Sequence, residues 1–244
     1  MAADAAIAVY KLVFSMDLQG FGHLLVEGAW VTIQLALCSL FVGLLLGLLG
    51  AAAKLSSSKI ANAIGNGYTL FVRGMPELLL VLTIFFGSSA LLMAIASLFG
   101  YDEYIELSPF VAGVAALSIA FGAYATEVFR GAMQEIPKGQ REAAVALGMT
   151  AFQTFRRITL PQVWRLALPG LGNLFLVLLK DTALVSVIGL NELMRQASVA
   201  VGYTKEPFTF YLAAAMVYLL LTCISMLGLY LLERHANRGY QGAR

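Results

Sequence analysis

Six charged side chains fall inside or at the edge of strongly apolar stretches: Arg73, Glu77, Glu127, Arg130, Lys180 and Asp181. A charge at the centre of a bilayer costs about 2.5–3.5 kcal/mol on insertion scales, so each needs a partner or a water-filled cavity. Arg73 and Glu77 flank Gly74-Met75-Pro76. Pro76 disfavours helical geometry at Met75, which predicts a bend where freed backbone groups and helix ends can face a cavity. Alternatively, Arg73 and Glu77 pair with each other across one helical turn. Glu127 and Arg130, three residues apart, are spaced for a salt bridge and are read as structural. Lys180, Asp181 and Thr182 interrupt another apolar run, whose start is loosened by Pro169, Gly170 and Gly172 and followed by Asn173. Adjacent Lys180 and Asp181 point about 100° apart on a helix, so each needs its own partner, in a cavity wall or as a cross-link between helices. The candidate solute contacts are therefore Arg73, Glu77, Asn173, Lys180, Asp181 and Thr182.

This chemistry holds a polar solute and breaks no bond. The histidines are His23 and His235, and the sequence contains no HExxH, GxSxG or phosphate-cradling Gly-Lys-Ser/Thr pattern. Cys38 and Cys223 are far apart and outside any CxxC, which supports neither a disulfide nor a zinc site. No cofactor or metal is expected in the chain, and any hydrolysis must come from a partner. A net charge of +2 is too small to suggest nucleic acid.

The elements that must position these residues are membrane helices. The 244 residues are 60% hydrophobic and 12% charged, with a mean hydropathy of +0.82. Five windows are long enough for a hydrocarbon core that needs about 20 apolar residues: 29–50, 78–99, 110–129, 166–190 and 210–232. The expectation is an all-α, polytopic membrane protein with one membrane domain over residues 1–244. Gly43, Gly47 and Ala51 put small residues on one face of the first span for close helix packing. Residues 1–28 make a poor signal peptide, since the basic n-region is missing, and are read as an interfacial helix or an ordered outer leader before the first span. Residues 191–209 are read as an outer loop.

Between the third and fourth spans lies a polar, basic island, residues 137–161. Pro137 favours a helix start, Gly148 a left-handed stop, and Thr150 with Gln153 forms a capping box for a second short helix that Pro161 closes. Ala143 and Ala144 let another surface approach the backbone, with Arg141 and Glu142 at the polar edge. Residues 100–108 hold Asp102, Glu103 and Glu106 with no Lys or Arg, whereas 130–165 hold Arg130, Lys138, Arg141, Arg156, Arg157 and Arg165. The positive-inside rule puts the island in the cytoplasm. Lys54 and Lys59 and the tail residues Arg234, Arg238 and Arg244 agree, leaving the N-terminus outside.

Glu142-Ala143-Ala144, Gly148, Ile158 and Leu160-Pro161 resemble the EAA signature of the permease subunits of bacterial ATP-binding-cassette importers. The resemblance extends over nearly the whole chain. Arg73 to Leu79 looks like the Arg-Gly-Thr-Pro-x-Leu element of polar amino acid permeases, with Met75 in place of Thr, and residues 122–131, 167–173 and 180–186 follow in the family's order. The histidine, lysine, arginine and ornithine branch is the nearest in pattern. The resemblance implies a type I importer permease with a cytoplasmic coupling loop formed by Glu142, Ala143, Ala144, Gly148, Ile158, Leu160 and Pro161. It also implies a similar second permease, two ATPase subunits that bind ATP and Mg, a periplasmic solute-binding protein and residence in the inner membrane among its lipids. In that family a similar Glu and Arg-Gly pair occurs with quite different cargoes, which assigns Glu127 to orienting the coupling loop. The residue after Arg-Gly-x-Pro is apolar in many relatives for neutral or acidic amino acids and is Glu77 here, which points to a cationic amino acid, arginine or ornithine ahead of histidine. An ion-coupled secondary transporter using Glu77, Glu127, Lys180 and Asp181 as a relay is the competing class, but it needs no cytoplasmic docking knob.

Overall fold

A computed structural model describes residues 18–98 and 107–237. The leader up to Asp17, the acidic residues Asp102, Glu103 and Glu106, and Arg238 and Arg244 lie outside them. The described residues are helical. In chain order the helices are α1 (Gly22–Leu55), α2 (Lys59–Arg73), α3 (Glu77–Ser97), α4 (Pro109–Glu135), α5 (Lys138–Ala146), α6 (Ala151–Thr154), α7 (Leu160–Asp181), α8 (Leu193–Thr204) and α9 (Pro207–Ala236). A π turn, Phe155–Thr159, joins α6 to α7, and a 3-10 helix, Thr182–Ile188, continues α7. Five helical stretches are long and apolar enough to cross a membrane: Gly22–Leu55, Glu77–Ala94, Pro109–Glu135, Ala151–Ile188 and Pro207–Ala236. Each expected window falls on one of them.

The core is built on α1 against α4, which run parallel. A Cβ on Gly43 would lie 2.7 Å from Phe121, one on Gly47 2.7 Å from Ala125, and one on Gly50 2.2 Å from the Thr126 hydroxyl. Small residues on α1 thus bring the two backbones together, and Ser118 Oγ donates to the Ser39 carbonyl at 3.2 Å across the seam. The buried cluster continues through Phe129, Val163, Ala167, Leu171 and Val185, so α7 closes over the same face. Outward residues such as Trp30, Phe41, Leu49, Phe86 and Leu231 are apolar and exposed, as a helix surface bathed in lipid or against another subunit requires.

Several expectations are corrected. The first helix begins at Gly22, so residues 22–28 belong to it rather than to a leader. Residues 191–209 are no loop. Glu192 caps the twelve-residue α8, which packs against α1 and α9. The fourth span starts at Ala151, not 166, and neither Pro161 nor Pro169 breaks it. Pro161 sits in the first turn after the π segment, where the Leu160 N–H reaches back to Phe155 O. The wider π turn makes room at the point where a ring without an N–H would otherwise clash in an α-helix. The island at 137–161 therefore holds one free-standing short helix, α5, and the beginning of a long membrane helix.

Candidate functional site

The break at Arg73 to Pro76 falls beside α4 because α2 doubles back along α1 and α4. Ser58 caps its start by accepting from the Ala61 N–H. Gly65 lies against Lys54, and Tyr68 donates to the Ile119 carbonyl at 2.8 Å. Burial pushes the Tyr68 phenol up to about 12, so it stays a neutral donor at any physiological pH. Val72 reaches Ala120 and Ala123. The helix ends at Arg73, with the Gly74 N–H donating to Leu70 O at 3.1 Å, and a new one starts at Glu77.

Around this break α4 presents one face, Leu117, Ala120, Phe121 and Tyr124, to the end of α7, forming with Glu77 and Asp181 a cavity of about 240 Å³. Leu174, Val177 and Leu178 complete its lining. The Tyr124 hydroxyl donates to Glu77 Oε1 at 3.3 Å. Glu77 and Asp181 supply two carboxylates, and the lining holds no Lys or Arg. Arg73 does not pair with Glu77: the break removes the shared helical face, and Arg73 places its guanidinium over the Tyr124 ring, 5.3 Å from the centroid. The same side chain therefore gives its hydroxyl to the acidic chamber and its ring face to an arginine.

The remaining candidates are dispersed. Lys180 faces away from Asp181, into a groove with Tyr211, Tyr218 and Thr222. Asn173 is exposed and lines no part of the acidic cavity. Thr182 is buried, donates to Leu179 O at 2.7 Å and lies 3.5 Å from the Tyr218 hydroxyl, so it faces α9. Two residues that sequence reasoning gave no solute or pairing role prove central. Tyr124 carried a signal: it continues the 117, 120, 121 helical spacing and is the polar group on that stripe. Lys54, noted only as a marker of sidedness, is an ion-pair partner of Glu127, whose other oxygen takes Arg130 at 2.8 Å. Lys54 also donates to Thr69 at 2.8 Å. The Glu127 pair is thus a three-charge clamp joining the ends of α1, α2 and α4.

Beyond α4, the coupling-loop candidates fold as their local signals require. Gly148 has φ +76° and closes a Schellman end: its N–H reaches Val145 O at 2.9 Å and the Met149 N–H reaches Ala144 O at 3.0 Å. Thr150 and Gln153 form both bonds of the capping box. Ala144 is buried, while Arg141, Glu142 and Ala143 are exposed. Gln162 donates to Gln140 Oε1 at 2.7 Å, tying α5 to α7. Ile158 is half-buried, and Leu160 and Pro161 are exposed. Val145, Leu147 and Phe152 stand out from this otherwise polar segment, with Leu147 83% exposed.

Five helices long and apolar enough to cross a membrane, a helix break beside an acidic cavity and a capped short helix together describe a polytopic membrane protein. Residues 43–238 match the family described as the binding-protein-dependent transport system inner membrane component. The chain belongs to this family. It is similar to the nopaline transport system permease protein NocQ of Agrobacterium fabrum, 49% identical over 90% of this chain and 94% of that one. It is also similar to the histidine/lysine/arginine/ornithine transport system permease protein HisQ of Salmonella typhimurium, 45% identical over 93% of this chain and 99% of that one. Its fold superposes on a permease chain in the crystal structure of an amino acid ABC transporter with histidines, with a TM-score of 0.73, 36% identity and coverage of 87% and 94%. The protein is a multi-pass inner-membrane permease of an ABC amino acid importer, a membership that implies ATPase and binding-protein partners.

Proposed function

We propose that the cargo is an amino acid with a cationic side chain, arginine or ornithine ahead of histidine or lysine, and that Glu77 and Asp181 hold its charge in transit. The observation that carries this reading is the acidic cavity: two carboxylates and a phenol converge beside a helix break with no cation in the lining. In a low-dielectric bundle such a chamber attracts a guanidinium or ammonium group and repels an anion. Relatives named for nopaline and for histidine, lysine, arginine and ornithine are compatible with it. The ATPase subunits, two to a complex with their ATP and Mg, dock on α5 through Glu142, Ala143, Ala144 and the exposed Val145, Leu147 and Phe152. Ile158, Leu160 and Pro161 pass the stroke from that knob to α7. A similar second permease completes the pathway, a periplasmic binding protein delivers the cargo, and residues 1–244 act as one translocation unit. The N-terminus is periplasmic and the C-terminus cytoplasmic. The positive-inside rule supports this orientation through Lys54, Arg130, Lys138, Arg156, Arg157 and Arg234, which flank the ends of the spanning helices.

The test is uptake into vesicles holding the whole complex. Hydrogen bonds to charged groups are worth about 1.5–3 kcal/mol, so E77Q and D181N each lower apparent affinity for arginine by about 10- to 100-fold. Arginine uptake that persists unchanged in both variants rejects the assignment.

A further inference from the structure

Tyr124 also lines a second cavity, of about 630 Å³, together with Lys54, Asn66, Thr69, Arg73 and Glu127 among others. Its charges are unequal in availability. Both oxygens of Glu127 are engaged, one by Lys54 and the other by Arg130, so these three charges are committed to one another. Arg73 is exposed and, among the described residues, enters no ion pair; its guanidinium lies over the face of Tyr124. A guanidinium that lies on a ring face outside any ion pair keeps its fork of N–H donors free for an anion that can take two of them at once. Tyr124 meanwhile gives its hydroxyl to Glu77 in the other cavity. One aromatic side chain thus borders both the acidic cavity and one uncommitted positive group, and a solute with opposite charges at its two ends would straddle it.

Building on the cationic cargo proposed above, we propose that Arg73 forms a carboxylate subsite, reading the main-chain carboxylate of the amino acid whose cationic side chain lies against Glu77 and Asp181. The Gly74-Met75-Pro76 break sets Glu77 at the hydroxyl of Tyr124 and Arg73 over its ring rather than both on one helical face. This position gives the permease its own check that the cargo is a free amino acid and not merely a cation. Cations lacking the carboxylate meet only half of the site.

The experiment measures direct binding to the purified permease–ATPase complex without binding protein, so that no other receptor contributes selectivity. The probes are L-arginine, L-argininamide, which lacks the negative charge, and L-citrulline, which lacks the positive one. The unaltered complex binds arginine at least about tenfold more tightly than argininamide. R73Q brings that ratio below about threefold while keeping the preference for arginine over citrulline, and R73E turns the preference towards argininamide. An arginine-to-argininamide ratio unchanged in R73Q and R73E overturns the subsite, as does a wild-type complex that binds both equally. Loss of arginine-over-citrulline selectivity in E77Q tests the cation reading separately, so one reading can fail while the other stands.

Discussion

Glu192 shows how much a single side chain can decide. It is fully buried, yet its carboxylate accepts from the Arg195 N–H at 2.7 Å, the Met194 N–H at 2.9 Å and the Tyr218 hydroxyl at 3.0 Å. It caps α8 and ties it to α9, while the Leu193 N–H reaches Thr32 on α1 at 3.2 Å. Burial raises its pKa above the ordinary glutamate value of 4.5, against the lowering effect of those hydrogen bonds. A carboxyl with a raised pKa binds its proton more readily folded than unfolded. The stabilisation is complete below the unfolded value and is lost as pH rises through the folded one. The melting temperature of the detergent-solubilised complex should therefore fall as pH rises from 4.5 through the folded pKa. E192Q should flatten that slope, and a slope unaltered by E192Q would show that another group sets it.

Among the elements, α5 and the turn behind it are the ones whose form is most completely written in local signals. Pro137, the alanines, Gly148 and the Thr150 capping box each act within a few residues, and all are realised. A Cβ at Gly148 would meet nothing within 4 Å, so the demand there is conformational rather than steric. Replacing Gly148 by Leu costs about 1–2 kcal/mol for a left-handed side-chain residue and tilts α5 against its anchor on Gln162. ATP hydrolysis in the reconstituted complex should then continue while transport per ATP drops severalfold. Full coupling in G148L would remove α5 from the force path. The fourth span was harder to read. Its prolines suggest interruptions, but a π turn absorbs Pro161 and packing carries the helix through Pro169. Helix propensity is a weak term against burial of a whole face.

For the whole molecule, the parallel seam of α1 on α4 sets where everything else can go. Because a Cβ at Gly50 would lie 2.2 Å from Thr126, G50V must push the helices apart and costs about 1–3 kcal/mol, lowering the melting temperature and the yield of assembled complex. If G50V melts like the wild type, this seam is looser than the distances imply. Composition and hydropathy by themselves determined an all-helical, five-span membrane protein, because continuous apolar runs of about 20 residues satisfy their backbone groups in a bilayer only as helices. Motif spacing determined the knob and its capping, since those bonds close over three or four residues. Tertiary structure alone decided that Glu77 meets Tyr124 and shares a cavity with Asp181, that Arg73 lies over the same ring, that Lys54 completes the Glu127 clamp, and that Lys180 and Asn173 lie elsewhere. Spacing tells which face of its own helix a residue occupies. Which faces meet depends on how closely small residues let the helices approach and on how far α2 folds back before it breaks.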